Sequence, residues 1–557
     1  MSAHMIKRDD YAFLYVVDME KLSRFEFIKS NINQLVNKNF DVTKRIYNEV
    51  EITEITDKST YEILSLAFIE NQMVASYTHT LVEKSIDEFL SPVIGRDLQF
   101  LEIQREVKQQ DLFRFYLNHK YLTDYYKAFS NENSAIVELF EEHFNFSGFH
   151  IDVDSDRLLN ANGYSNGDQT AQSLITALND SGTSKVTVSE ILPQETVLFL
   201  SFGFDEFSEL HGNFYDLLES QNPSLFNEYK QGRKKIEDLV EIDLERDFYS
   251  WMDDELAFAK ADSKNISEKE GIAVILKAKN ADDAIERLKF VEQQIAENTP
   301  VKFKEVDYRG YKINYLDLKG FFKLIAGSLF DAIEKPYYTV IDDFVVFSNS
   351  PKTLKLFIDA QETEKTLVED EYYNYFKDEF SSESNVFLYV DTNKLIDASA
   401  KYLTSSSREE LELNKTFFSQ FTQIGLELTA QESVFESKAM IHYDKDYDHE
   451  ALQQEERTKD LPLDFVTIRK EEISKETVFD IPPIFPDDFT ANFYEQKYTN
   501  GKIKMKVYLK DGIPDGRYKE YYFDGQLKIS GRFDEGEKDG KWKAYLRNGK
   551  LYHKERF

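Results

Sequence analysis

Asp152, Asp154 and Asp156 alternate in the order of the first three ligands of a calcium loop, where carboxylate oxygens would cage a hard cation. The rest of that loop is missing. Arg157 stands where the turn glycine is required and Gly163 where a bidentate acid should close the cage, so the stretch reads as a strand with a solvated acidic face. The nine histidines include no HExxH pair and no histidine-carboxylate grouping at metal-ligand spacing, and His79, His119 and His211 read as surface or packed residues. A Walker loop, GxGxxG and GxSxG are all absent, so phosphate cradles, dinucleotide sites and serine-hydrolase elbows have no support. Cysteine is absent too, which excludes disulfides, thiol catalysis and cysteine-ligated zinc. The expectation is a protein that is not an enzyme, with no cofactor, no metal and no small-molecule substrate.

What remains is charge. The chain carries a formal −34, which argues against a general nucleic-acid binder because most of its surface would repel a phosphate backbone. Residues 491–557 run the other way, with 12 Lys and 4 Arg against 10 acids. Lys502, Lys504 and Lys506 fall on one face of a strand, and Lys528, Arg532, Lys541 and Lys543 follow in the next units. These seven are the candidate partner-binding residues.

The element that positions them repeats. Gly501, Gly525 and Gly549 recur every 24 residues, as do Gly516 and Gly540, and Tyr494, Tyr518 and Trp542. Ile503, Met505, Val507 and Leu509 alternate with the lysines, the period-two pattern of a strand with one buried face. Asn500-Gly501, Asp524-Gly525 and Asn548-Gly549 are tight-turn dipeptides that accept positive φ cheaply, so each unit reads as a β-hairpin. One hairpin buries too little to stand alone, and successive hairpins must stack into a ribbon. Gly501, Gly516, Tyr518, Gly525, Gly540, Trp542 and Gly549 are its expected structural residues. The G-x-W-x-x-Y and N-G-K-L elements at Gly540, Trp542, Tyr545 and Asn548 to Leu551 resemble MORN-type repeats, in the variety found in proteins named after the YwqK antitoxin. In the last unit His553 and Glu555 replace the apolar Met505 and Val507, which predicts a polar cap.

At 557 residues the chain should form several domains, given roughly 150 residues per domain. YAFLYVVDMEKLSRF from Tyr11 and ETVLFLSFGFDEFSEL from Glu195 both read as a strand feeding a helix, with Val197 taking the place of Ala12. In the same order, NQMVASYTHT from Asn71 resembles DDFVVFSNSP from Asp342, and FRFYLNHKYL from Phe113 resembles VFLYVDTNKL from Val386. Each copy closes on a strand pair. The first offset is smaller than the other two, so the second copy is expected to carry an insertion between its first and second matched elements, including the strand and helix of GIAVILKAKNADDAIERLKFVEQQI from Gly271. The expected fold class is α+β: two tandem related modules of mostly antiparallel sheet with helices, at 6–190 and 191–446, then a charged, proline-containing linker at 447–490 and an all-β hairpin-repeat ribbon at 491–557. LPQETVLFLSF from Leu192, RGYKINYLDL from Arg309 and SNVFLYVDTNKL from Ser384 resemble a bacterial family of unknown function found in anchored or secreted proteins, notably of Bacteroidota. The resemblance implies a fold and an extracytoplasmic setting but no reaction.

The opening MSAHM, residues 1–5, reads as vector-derived, and a removed leader or membrane anchor is expected before it. Localisation is expected in the periplasm or as an outer-membrane lipoprotein, with the cytoplasm as the alternative. The leading functional expectation is a non-catalytic, envelope-associated scaffold that binds a partner protein. The alternatives are a basic tail that binds an anionic membrane surface or polymer, and an antitoxin-like neutraliser of a cognate toxin.

Overall fold

The computed structural model describes residues 1–7, 10–18, 39–107, 113–155, 157–167, 174–263, 266, 270–298, 305–316, 333, 336–431, 433–444, 493–497, 503–510, 513–521, 526–545 and 551–557. Its architecture is α+β, with antiparallel sheets of six and thirteen strands in the body and a further six-stranded sheet at the C-terminus. Asp152 and Asp154 lie on a strand with side chains outside the described residues, and Asp156 lies outside them altogether.

Six strands form the first sheet: β1 (Ser2–Lys7), β2 (Asp10–Asp18), β3 (Phe40–Tyr47), β4 (Val50–Asp57), β5 (Ile63–Ile69) and β6 (Gln72–Ser76), in the order β1-β2-β6-β5-β4-β3. Its apolar face, with Leu14, Ile52, Ala67 and Val74, is covered by Leu81, Val82 and Ile86 of the helix His79–Leu90. Those three sit at helical spacing on one stripe, which is why this helix lies flat on the sheet. Residues 2–5, expected to be foreign, pair with β2.

The next strands are β7 (Phe113–Asn118), β8 (Phe144–Ser155), β9 (Leu158–Gly167), β10 (Ser184–Lys185), β11 (Thr196–Gly203), β12 (Met252–Ala261) and β13 (Ile272–Ala278). They are followed by β14 (Val306–Tyr308), β15 (Tyr311–Tyr315), β16 (Tyr337–Ile341), β17 (Phe344–Ser348), β18 (Glu383–Ser384), β19 (Val386–Asp391), β20 (Phe421–Gln431) and β21 (Val434–Tyr443). All but the short β10–β18 pair join one sheet of thirteen strands, in the order β14-β15-β16-β17-β13-β12-β11-β19-β20-β21-β9-β8-β7. Its middle is buried on both faces. Leu200, Phe202, Leu256, Phe258, Val274 and Leu276 pack under the helix Ala281–Asn298, while Phe199, Ala257, Ala259 and Ile275 pack under the helix Pro351–Glu362. That double burial explains strands such as TVLFLSFG, FVVFS and IAVIL, in which apolar residues run nearly without interruption.

The two copies are legible in matched local bonds. Ser76 Oγ donates to the Phe13 carbonyl at 2.7 Å and accepts from the Thr78 N–H at 3.0 Å. Ser348 Oγ donates to the Ile272 carbonyl at 2.7 Å and accepts from the Ser350 N–H at 3.3 Å. Asp97 caps the helix Leu98–Glu106 through two N–H groups, and Asp370 caps the helix Glu371–Lys377 in the same way. Tyr116 stands opposite Gly148 across β7–β8, and Tyr389 opposite Gly425 across β19–β20. The counterpart of β2 is therefore β13, which pairs with β17 as β2 pairs with β6. This corrects the alignment of Ala12 with Val197. The extra material, β11 with the helices Phe207–Gln221 and Pro223–Val240, precedes β12 and β13, the counterparts of β1 and β2, instead of interrupting the copy. An apolar run looks alike in any doubly buried strand, so the pattern alone could not choose between β11 and β13.

The copies meet like the halves of a symmetric dimer. β9 pairs with β21 from Leu158 opposite His442 to Asn166 opposite Val434, so the closing strand of one copy lies against its own counterpart. The same reciprocity appears at a second place: the Asn131 N–H donates to the Tyr402 carbonyl at 2.8 Å, and the Thr404 N–H donates to the Phe129 carbonyl at 2.9 Å, flanking a bridge between Ser130 and Leu403. Each copy gives the bond it receives, which defines an isologous contact. A Cβ on Gly163 of β9 would stand 1.8 Å from the Gly148 carbonyl oxygen, a clash with backbone that no rotamer change relieves. Gly163→Ala is therefore expected to cost about 3 kcal/mol. With Trp542→Phe as background, Trp251 beside the second copy is the sole tryptophan. Its melting transition should shift downward with the first-copy substitution; an unmoved Trp251 transition would show that the seam does not couple the copies.

Candidate anion-binding face

The C-terminal sheet is a meander of β22 (Phe493–Lys497), β23 (Ile503–Lys510), β24 (Ile513–Tyr521), β25 (Leu527–Asp534), β26 (Glu537–Tyr545) and β27 (Leu551–Arg556), each antiparallel to the next. One face carries its core of Val507, Leu509, Tyr518, Ile529, Phe533, Trp542 and Ala544, joined by Tyr494 and Met505. Trp542 is fully buried, lies at a 30° tilt 5.4 Å from Tyr518 and edge-to-face 5.1 Å from Phe533, and donates from Nε1 to the Arg532 carbonyl at 3.1 Å. It fits because Gly531 opposite has no side chain; a Cβ there would stand 2.1 Å from the indole. Gly516 and Gly540 have φ of 127° and 74°, in the region that favours glycine. Gly501, Gly525 and Gly549 lie outside the described residues.

Once the core takes one face, strand alternation sends every other residue to the opposite one. Lys506 stands opposite Lys519, Lys519 opposite Ser530, Ser530 opposite Lys543, and Lys543 opposite Lys554. Beside that row, Arg517 is opposite Arg532, and Lys541 is opposite Arg556. Arg517, Lys519, Arg532, Lys541, Lys543, Lys554 and Arg556 are exposed. Like charges directly opposite across an antiparallel pair are destabilising, whereas opposite charges would contribute roughly 0.2–1 kcal/mol. Two acids offset this ladder within the sheet: Asp539 stands opposite Arg532 across β25–β26, and the Glu495 carboxylate lies 3.4 Å from Lys506 Nζ, which is also 4.7 Å from the centre of the Phe493 ring.

Of the seven expected binding residues, the sheet gathers Lys506, Arg532, Lys541 and Lys543 on this face, and Lys504 shares it by alternation. Lys528 is engaged differently. It sits at a register shift and forms an ion pair with Glu520 at 2.9 Å. Lys502 lies outside the described residues. Arg517, Lys519, Lys554 and Arg556 were missed because only the strand register reveals that they continue the rows. His553 and Glu555 lie 3.8 Å apart in the last strand, where the sequence placed the polar cap.

The body offers buried polar groups instead. His119 Nε2 is 2.8 Å from Ser147 Oγ, which is 2.6 Å from Ser165 Oγ, itself 2.8 Å from Ser437 Oγ; the chain crosses the seam from β8 through β9 to β21. A cavity of about 60 Å³ lies beside it, lined by His119, Ser147, Ser165, Phe144, Leu426 and Leu428 among others. Burial lowers the His119 pKa to about 4. His211, 2.8 Å from the Tyr229 hydroxyl, is likewise lowered to about 4, first by burial and then by the nearby Arg233 guanidinium. Glu255 is buried yet satisfied by Ser201 Oγ and Thr187 Oγ1 at 2.6 Å each and by the N–H groups of Thr187 and Val188; burial raises its pKa. Among the described residues, no group of three His, Asp or Glu is placed to hold a metal. No described helix is long and apolar enough to cross a membrane.

A family model described as a protein of unknown function, DUF3352, matches residues 13–289 and again 259–454. The chain belongs to the DUF3352 family. The two overlapping matches agree with the internal duplication, and the second begins in β12, just ahead of β13. No curated protein and no solved structure matches the chain. The DUF3352 match ends before the C-terminal sheet, so the cationic face lies outside the matched segments.

Two predictions follow from these buried groups. Because the folded pKa values of His119 and His211 lie below the ordinary 6.5, the neutral rings contribute stability in full above pH 6.5 and lose it as pH falls toward 4. Each should contribute up to about 3 kcal/mol to that slope, so denaturant titrations of His119→Gln between pH 7 and 4 should show a flatter pH dependence than the unsubstituted protein. In the C-terminal sheet, Gly531→Val should expel Trp542 from its slot at a cost of about 3 kcal/mol. Trp542 emission should shift to the red while Trp251, read in a Trp542→Phe background, stays unchanged.

Proposed function

We propose that this DUF3352 protein is a non-catalytic binding protein of the cell envelope, whose C-terminal sheet docks by its cationic face onto an anionic phospholipid surface. The observation that carries the reading is the ladder of like-charged pairs, Lys506–Lys519, Lys543–Lys554, Arg517–Arg532 and Lys541–Arg556. A sheet that only needed solubility would gain from mixed signs at these positions. An anionic counter-surface removes the repulsion instead. The array is two-dimensional, with cations repeating at ~4.8 Å between strands and ~6.6 Å along them, which suits a plane of headgroups better than a single thread of charge.

The rest of the chain, strongly acidic, would be repelled by the same surface, which orients the molecule with the C-terminal sheet inward and the DUF3352 body away. Each Lys near such a surface contributes about 1 kcal/mol, and the attraction is screened by salt. The full-length protein should co-sediment with phosphatidylcholine vesicles containing phosphatidylglycerol but not with phosphatidylcholine alone. Changing Lys506, Lys519 and Lys543 to Glu should weaken the interaction by about a hundredfold or more. Equal binding to neutral vesicles, or binding untouched by the three changes, would sink the reading.

A further inference from the structure

The two copies differ at one place, and the second copy shows what is missing from the first. In the second copy, residues 188–203 fill a slot. Val188, Ile191 and Leu192 are fully buried against Leu367 in the 3-10 turn Leu367–Glu369, and two backbone bonds fix this lead: Leu367 N–H to the Leu192 carbonyl at 2.8 Å and Gln194 N–H to the Lys365 carbonyl at 2.9 Å. β11 then adds to the outer edge of β19, from Leu198 opposite Val390 to Phe202 opposite Val386.

In the first copy the described residues at the corresponding places are more exposed, although Tyr125 and Phe129 of the helix after β7 pack on Tyr11 of β2. The counterpart of the turn Leu367–Glu369 is the 3-10 turn Ile94–Arg96, placed just before the matching aspartate-capped helix. Ile94 is 45% exposed where Leu367 is 0%, and its neighbours Val93 and Leu98 are 73% and 78% exposed. The counterpart of β19 is β7, which pairs with β8 and, among the described residues, with no strand on its other side. Phe115 on β7 is 47% exposed where its counterpart Leu388 on β19 is part-buried, and Tyr116 is part-buried where Tyr389 is buried.

We propose that this slot is a peptide-binding site, which takes by β-strand addition to β7 an extended segment of another polypeptide whose strand is apolar and uncharged, with a small apolar lead seated on Val93, Ile94 and Leu98. The chemistry of the occupant is read from the internal template: an apolar pair ahead of a proline, then a strand such as TVLFLSFG that carries no charge. Backbone pairing along the edge would give affinity and the apolar lead would give direction. A charged or proline-broken strand would not fit, since its place in the second copy is buried on both faces.

The test uses the full-length protein and a fluorescein-labelled synthetic peptide with the sequence of Val188–Gly203. Anisotropy should show saturable binding. Affinity should fall at least about tenfold for Ile94→Asp combined with Leu98→Asp, and likewise for Phe115→Pro, which blocks the β7 edge. The first pair changes exposed residues, so its Trp251 melting transition should match that of the parent and separate lost binding from lost fold. Absence of saturable binding, equal binding of a scrambled peptide, or equal affinity in both variants overturns the proposal. So does concentration-dependent dimerisation that the Ile94→Asp, Leu98→Asp variant abolishes, because the occupant would then be a second copy of this chain.

Discussion

The pairing of β9 with β21 is the contact on which the body depends. It joins two copies that would otherwise each present a long unpaired strand edge, and it does so between counterpart strands, so one surface has had to match only itself. The reciprocal bonds around Ser130 and Leu403 repeat that logic away from the sheet. Polar groups trapped at the seam are organised accordingly: Ser147, Ser165 and Ser437 pass hydrogen bonds from one strand to the next, so the hydroxyls buried by strand pairing are satisfied by one another. The depressed basicity of His119 is a consequence of the same closure, since protonating it would place a charge in a region already sealed by Phe140, Phe144 and Leu426.

Symmetry at the seam makes the asymmetry elsewhere informative. Residues 187–203 belong to neither repeat, yet they complete the second copy. Glu255 holds their start through three hydrogen bonds and β11 through a fourth from Ser201, Leu192 and Gln194 fasten the lead, and β11 bridges β12 and β19 into a continuous sheet. A fully buried carboxylate is costly unless its lone pairs are met, and here they are met by the segment it anchors. The first copy has β1 beside β2 in the position corresponding to β12, but no described strand corresponding to β11. The difference in exposure between Ile94 and Leu367 measures what that segment does for the copy that has it.

Much of this was legible in the sequence, and the losses have physical causes. The strand-helix order from Asn71, Phe113, Asp342 and Val386, the closing strand pairs and the one-sided C-terminal strands followed from periodicity, because side-chain burial imposes it directly, while the helix expected after Asp18 lies outside the described residues. Phe199 and Ile275 show where periodicity fails: both lie in doubly buried strands whose apolar runs carry no face information, so the second copy was begun at β11 instead of β13. The decisive markers, Ser76 and Ser348, are ordinary serines until their partners are known. In the C-terminal sheet the lysine face was visible from alternation in β23, but Arg517, Lys519, Lys554 and Arg556 required cross-strand register. Lys528 fell to a local register shift that turned it toward Glu520.

The C-terminal sheet shows how tightly its core and its charge are linked. Trp542 is the largest side chain in the core, and it is seated only because Gly531 leaves room on the facing strand. That seat fixes the register of β25 against β26, which sets Ser530 opposite Lys543. The small, neutral serine interrupts the row between Lys519 and Lys543, so the row is two cationic pairs separated by a gap and not one unbroken line. Repulsion persists at Lys543–Lys554, whereas at Lys506–Lys519 it is eased by Glu495, which stands opposite Lys506 on the other side. The packing of one aromatic therefore determines the spacing of the cations on the opposite face, and any change that slips the core by one residue would send half of them into it.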